Sequence, residues 1–295
     1  MINYLVKRLV YLLVVLFCIS IFVFTVMSAV NGGIVFPEAD NEAVFLDRYF
    51  SWLRAIFISP PKESYWPRLA VFSYFGKMLP ATLALAGYSL CIIILLSLPI
   101  GMLAAFKTNS IFDYSIRICS YLGASIPNFA FGLLLIFTFV VGLDWFPIMA
   151  QRGFRGMVLP VCTLTIPLIS RFLRLIRAST LEELKQDYVV GASARGIGQW
   201  RIATLHILPN IIHSIFGYLL ISVGHLLNGV VVIETVFILQ GVGTIVVSSI
   251  RVRDYPVIQS YVLWMALIYV ISSFIIDILS HIIEPKSRRR GTYNA

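Results

Sequence analysis

The chain has 295 residues, of which 59% are hydrophobic and 13% charged, with a formal net charge of +9 and a mean hydropathy of +0.90. A soluble domain carries about 25% charged residues, so this chain has too little polar surface to cover a water-borne globule of its size. A soluble enzyme, a nucleic-acid-binding domain and a disordered tail are excluded as whole-chain readings, which leaves an all-α integral membrane protein.

A membrane-spanning helix needs about 20 mainly apolar residues, and six stretches qualify: 9–30, 82–105, 118–142, 157–176, 214–238 and 259–283. The first follows Lys7 and Arg8 as a signal peptide would. Its apolar core runs on to Val30, and Asn31-Gly32-Gly33 makes a poor cleavage site, so residues 1–30 read as an uncleaved N-terminal anchor helix. Residues 31–81 form an extracytoplasmic segment in which Phe45–Phe57 is amphipathic. Two compatible readings apply to that helix. It lies in the headgroup layer, anchored by Tyr49 and Trp52, or it offers a docking surface to an outer partner. Ser59-Pro60-Pro61-Lys62-Glu63-Ser64 reads as a turn-rich break after it. Residues 82–284 hold the other spans and a long inner connection, 177–213, and 285–295 form a basic tail.

Placing the N-terminus inside makes both termini cytoplasmic and puts 14 of the 23 lysines and arginines on the inner side. Only five acidic residues accompany them there, so the basic pI is a positive-inside signal. Pro127 and Pro167 lie within spans and predict kinks. Arg171, Arg174 and Arg177 recur at helical spacing and suit either a cytoplasmic partner or anionic headgroups. Cys18, Cys91, Cys119 and Cys162 sit in apolar stretches, read as small buried hydrophobes, and are spaced for neither zinc nor disulfides. His206, His213, His225 and His281 are scattered and carry no metal motif.

The inner connection is the most informative segment. Leu181 to Ala194 favours a helix, small residues at 191–194 allow close approach of another surface, and Gly196 and Gly198 supply a turn. A second short helix follows, with Pro209 near the start of the next span. Helix, glycine turn and helix at the membrane face suit either a docking element or a plain interhelical loop. Gly191-Ala192-Ser193-Ala194-Arg195 departs from a nucleophile elbow, since Arg stands in the last place and no strand precedes it.

These residues resemble the EAA loop of binding-protein-dependent ABC importer permeases, whose pattern is Glu-Ala-Ala, three residues, Gly, nine residues, Ile-x-Leu-Pro. With Gly196 on the family glycine, Ala192 falls on the second alanine and Leu208-Pro209 falls in register. Val190, Gly191 and His206 depart from the pattern. Asp187-Tyr188-Val189 before the small-residue stretch resembles the peptide/nickel branch. So do Leu79-Pro80-Ala81-Thr82-Leu83, Ser125-Ile126-Pro127-Asn128-Phe129, Arg174 to Ser179, Val232 to Phe237 and Arg253 to Gln259.

The resemblance implies six spans of the type I importer class, with a cytoplasmic coupling helix between spans four and five. It implies a second, homologous permease subunit, two cytoplasmic ATPase subunits and an extracytoplasmic substrate-binding protein as partners, all working at a bacterial inner membrane. Asp187, Tyr188, Ala192, Gly196, Leu208 and Pro209 would serve ATPase coupling. The chain lacks G-x-x-x-x-G-K-[ST], so any ATP is bound by the partners and the chain is no enzyme and needs no cofactor of its own. The cargo implied is a di- or oligopeptide, nickel or a metal chelate. Where the branch has Trp-Pro-Gly, this chain has Leu239-Gln240-Gly241, which implies a less rigid outer loop.

For the pathway, Ser222, Asn228 and Gly229 lie at helical bearings within about 60° either side of His225, one face of the fifth span. That stripe suits either pore lining or interhelical packing. Glu234 points away from it, toward the outer end, as a gate ion pair with Arg251 or Arg253, beside Asp254, or as an interface residue. Asp277, inside the sixth span, calls for a basic partner at the cytoplasmic end. The rival class is a self-sufficient ion-coupled transporter or channel using Glu234, Asp277 and His225. An intramembrane enzyme would need paired reactive groups at one depth, which Glu234 and Asp277 do not provide.

Overall fold

The structure, a computed structural model, describes residues 2–31, 45–57, 71–147 and 153–283. The expected turn at 59–64 and the basic tail 285–295 lie outside the described residues. The helices in chain order are α1 (Ile2–Asn31), α2 (Phe45–Phe57), α3 (Val71–Phe106), α4 (Ile111–Ser125) and α5 (Asn128–Leu135), the last running into a π segment, Ile136–Gly142. There follow α6 (Phe154–Glu183), α7 (Asp187–Ala194), α8 (Gln199–Arg201), a second π segment (Ile202–Ile207), α9 (Leu208–Val236), α10 (Val242–Val252) and α11 (Tyr255–Ile283). Among the described residues there is no strand.

Among the described residues, five helices are long and apolar enough to cross a membrane: α1, α3, α6, α9 and α11. A sixth crossing requires α4 and α5 together, and these meet at 102°. The expected span 118–142 is thus part of a sharply bent pair, with the break at Pro127, where a kink was expected. The cause is local. Ile126, preceding proline, takes an extended conformation (φ −85°, ψ 126°), and Pro127 at φ −60° becomes the N-cap of α5. Pro167, by contrast, lies inside α6, which continues through it.

The bundle is built around α6, the most deeply buried of the spans, which packs against α3, α4, α5 and α9. Close approach rests on small residues. A Cβ on Gly123 of α4 would lie 2.3 Å from Ser170 Oγ, and one on Gly229 of α9 would lie 2.8 Å from Leu164 Cδ1. The interior carries hydroxyls satisfied within their own helix: Ser89, Thr163 and Ser222 donate to the carbonyls four residues back, at 2.7, 2.8 and 2.8 Å. Large apolar side chains such as Phe22, Leu95 and Phe137 face outward. Pairing of this kind lets a hydroxyl sit inside a membrane bundle without an unsatisfied donor.

Ion pairs pin the bundle in two places. Asp277 of α11 accepts from Arg8 Nε of α1 at 2.5 Å, which supplies the basic partner expected for it. Asp113 of α4, fully buried, accepts from Arg177 Nε and Nη2 at 2.5 and 2.8 Å and from the Asn109 N–H at 3.1 Å, with Arg117 at 3.4 Å. Arg174 Nη1 donates to the Ser120 carbonyl at 2.7 Å. Arg174 and Arg177 are thus committed to α4 inside the chain and are withdrawn from the expected headgroup or partner contacts.

Helix α2 keeps its expected bounds but not its expected setting. Tyr49 and Trp52 are 1% and 2% exposed, packed with Phe24 of α1 and Leu263 of α11. The Trp52 Nε1–H donates to Gln259 Oε1 at 2.9 Å, and the Tyr49 and Ser20 hydroxyls lie 2.6 Å apart. The aromatic face is spent on protein, so these residues are not headgroup anchors. Cys18, Cys91 and Cys119 are exposed and Cys162 half-buried, all free thiols, which corrects the expectation that they are core hydrophobes.

Candidate functional site

Two short links, 184–186 and 195–198, hold α7 at one end of the bundle between α6 and the run into α9. Asp187 stands in its first turn, where a negative charge suits the helix dipole. The C-terminus closes on Gly196 at φ +76°. The Gly196 N–H donates to the Ser193 carbonyl at 2.9 Å, and the Ile197 N–H to that of Ala192 at 3.2 Å. This paired closure requires a left-handed residue after the cap, which glycine adopts without cost from a side chain. Val189 and Ala192 are buried against the hydrophobic core that includes Ile202 and Ile207. The opposite face is open, with Val190 58% exposed, and Trp200 and Leu205 beyond the turn are 73% and 65% exposed. These apolar side chains lie between the membrane-spanning stretches of α6 and α9. An exposed apolar surface of this kind, outside the spans, gains free energy when it is covered.

The entry into α9 has a distinct register. Pro209 has no N–H for a carbonyl four residues back, and its ring crowds that position. The π segment 202–207 precedes it and absorbs both defects. Leu208 is half-buried and Pro209 exposed. Beside them, Tyr188, Leu205, His206, Pro209 and Asn210 line a hollow of ≈ 390 Å³. Within it, the Tyr188 hydroxyl donates to Glu183 Oε2, and Asn210 Nδ2 donates to Tyr188 Oη at 2.7 Å and to the His206 carbonyl at 3.0 Å. Partial burial, followed by the Glu183 hydrogen bond, pushes the Tyr188 hydroxyl above its ordinary range, so it remains a proton donor.

The expected stripe on α9 divides. His225 and Asn228 are exposed and belong to an open face with Asn210, Ser214 and Gly217, interrupted by Ile221 and Val232. Ser222 is fully buried and Gly229 packs on Leu164 of α6, so both leave the stripe for the bundle interior. Their bearings lie on the packed side of His225, and Asn228 lies on the other, so the boundary of the interface passes through the four. Among the described residues no group of His, Cys, Asp and Glu could hold a metal ion.

At the other end of α9, Glu234 is fully buried. Its carboxyl accepts from Thr82 Oγ1 of α3 at 2.5 Å and from the N–H groups of Gly243 and Thr244, at 2.7 and 3.3 Å, in the first turn of α10. Thr82 Oγ1 in turn accepts the Val242 N–H at 2.9 Å. The expected ion pair with Arg251 or Arg253 does not form, since both are exposed. Helix α10 offers Glu234 a row of free N–H groups instead. A Cβ on Gly241 would lie 2.1 Å from the Glu234 carboxyl carbon, so glycine there is required by space. Asp254 is buried, and its N–H donates to the Ser249 carbonyl at 2.8 Å, after Arg253 ends α10 in the left-handed region. The Leu239-Gln240-Gly241 turn is fastened: Leu239 is buried, its carbonyl accepts from Thr244 Oγ1 at 2.7 Å, and its N–H donates to the Glu234 carbonyl at 2.9 Å.

Asp113, Glu183, Asn210 and Thr82 are site or anchor residues that the sequence reading passed over. Ser110-x-x-Asp113 is a readable helix-start signal, but nothing in the spacing of the other three announces their partners.

Comparison with known proteins bears on this geometry. The model of the family described as binding-protein-dependent transport system inner membrane component matches residues 97–289. The glutathione transport system permease protein of Escherichia coli (strain K12) is 30% identical, over 98% of this chain and 99% of its own. The dipeptide transport system permease protein of Bacillus subtilis (strain 168) is 29% identical, over 97% and 98%. The crystal structure of a bacterial ABC transporter involved in the import of the acidic polysaccharide alginate superposes with a TM-score of 0.54 at 17% identity. That match covers 81% of this chain and 90% of the other, and it establishes a shared fold. The matched family segment takes in α4 to α11, with the α7 turn at its middle, and the chain belongs to the binding-protein-dependent transport system inner membrane component family, as a multi-pass permease component of an ABC importer of the peptide branch.

Proposed function

We propose that this chain forms half of the translocation pathway of an ATP-driven importer for short peptides. It pairs with a second, similar permease, receives cargo from an extracytoplasmic binding protein and is driven by two cytoplasmic ATPases. The termini and α7 face the cytoplasm. The chain has no cofactor of its own. The observation that carries this reading is the open apolar face of α7 and its turn, with Val190, Trp200 and Leu205 exposed outside the spans. Such a face gains from being covered, and α7 is attached directly to α6 and to the run into α9, so a partner that moves it tilts both spans. The open face of α9 bearing His225, Asn228 and Ser214 lines the pathway, since polar side chains in a bilayer face water or protein. Peptide cargo is supported by the relatives, named for dipeptide and glutathione transport.

The test is reconstitution in liposomes with labelled dipeptide and glutathione as probes. Uptake is expected only when the second permease, the ATPases, the binding protein and ATP are all present. Equal uptake by this chain alone, without nucleotide, would overturn the reading.

A further inference from the structure

Three helices reach one oxygen atom. Glu183 is the last residue of α6, Tyr188 the second of α7 and Asn210 the third of α9. The Tyr188 hydroxyl gives its proton to Glu183 and receives one from Asn210 at 2.7 Å, while Asn210 Nδ2 also holds the His206 carbonyl at 3.0 Å in the π segment. Asn210 Nδ2 lies 3.4 Å from Glu183 Oε2 as well, closing the ring. Elsewhere α7 is held by two short links and by the apolar underside of Val189 and Ala192. Apolar contact is non-directional and resists rocking poorly. Hydrogen bonds fix orientation, and those with a carboxylate are the stronger kind.

We propose that Tyr188, with Glu183 and Asn210, is a positioning knot that ties α7 to both flanking helices, so that a displacement of α7 reaches α6 and α9 together. The Tyr188 hydroxyl is the centre of the knot because it alone both donates and accepts. Its hydroxyl points back into the chain, so its part in coupling lies in transmission and not in gripping the ATPase. The proposal rests on the reading of α7 as the ATPase-docking helix, but the knot itself can be tested without any partner.

In the isolated full chain, Tyr188→Phe and Asn210→Ala each raise hydrogen exchange of the α7 amides about fivefold, as loss of one partly exposed hydrogen bond to a charged network predicts. The double variant is no worse than either single one, since the three groups act as a unit. Glu183→Gln keeps an acceptor for the Tyr188 hydroxyl and stays near wild type, whereas Glu183→Ala does not. In the assembled importer, spin labels at Ser193 and Ser214 keep one distance distribution in the nucleotide-free and ATP-trapped states. Tyr188→Phe broadens that distribution on ATP trapping while the ATPases remain bound. Unchanged exchange in Tyr188→Phe and Asn210→Ala would overturn the knot. Failure of the wild-type chain to bind ATPases would instead overturn the docking reading.

Discussion

Replacing Glu234 by Ala separates a fastening role from a gate ion pair. The side chain is fully buried and accepts from three donors, two of them N–H groups in the first turn of α10. The Gly243 N–H, at 2.7 Å, has its side-chain acceptor here, and the Thr244 contact at 3.3 Å is weaker. Thr82 retains the Val242 N–H as a donor to it. One strong and one weak charge-assisted bond, with a buried donor left unpaired, give a loss of about 3 kcal/mol. A tenfold change in an equilibrium corresponds to about 1.4 kcal/mol. Local opening at the start of α10 should therefore rise about 100-fold and be read as faster hydrogen exchange at residues 242–244. Glu234→Gln keeps an acceptor for the two N–H groups and should recover most of the protection. Exchange at 242–244 that stays within about threefold of wild type in Glu234→Ala would refute the reasoning. So would equal loss of protection on removing Arg251 or Arg253, because neither touches the carboxyl.

Other outcomes follow from the same geometry. Asp113→Ala strands the Arg177 guanidinium and should cost about 3–5 kcal/mol, seen as a melting point lowered by on the order of 10 °C; Arg177→Lys should lose less. Gly196→Ala meets no atom within 4 Å, so its cost comes from φ +76° alone, about 1 kcal/mol in a denaturation series. Gly196→Glu should leave the chain inserted but uncouple uptake from ATP hydrolysis, measured as peptide imported per ATP. Asn228→Leu, on the open face of α9, should change stability by less than about 0.5 kcal/mol while altering uptake rate or cargo preference. An unaltered rate and preference would remove Asn228 from the pathway.

The spans were legible because apolar runs of membrane length have one physical outlet in a bilayer, and α2 because its apolar residues repeat with the helical period. The α7 closure was legible too, since a glycine placed after small residues is the chemistry that a left-handed cap demands. What remained hidden depended on partners far apart in sequence. Asp113 meets Arg177 across 64 positions, and Thr82 meets Glu234 across 152. Pattern reading offers the span-four arginines a cytoplasmic partner or headgroups, and Trp52 a headgroup anchor or an outer docking surface, since side chains of those types serve all of these. Their actual neighbours, Asp113, Ser120, Phe24 and Gln259, belong to other helices. The stripe on α9 failed at its edge for a related reason. Periodicity gives bearings around an axis, and the arc buried by α6 is decided by where Gly229 lets the two helices touch.

Docking of α7 on a nucleotide-hydrolysing partner can be tested by disulfide trapping in the assembled importer, with the four native cysteines replaced. A cysteine at Val190, on the open face of α7, is expected to trap the ATPase subunit, and one at Leu95, within the membrane-spanning stretch of α3, is not. Trapping at Leu95→Cys with none at Val190→Cys would contradict the assignment of α7 as the surface through which ATP drives this chain.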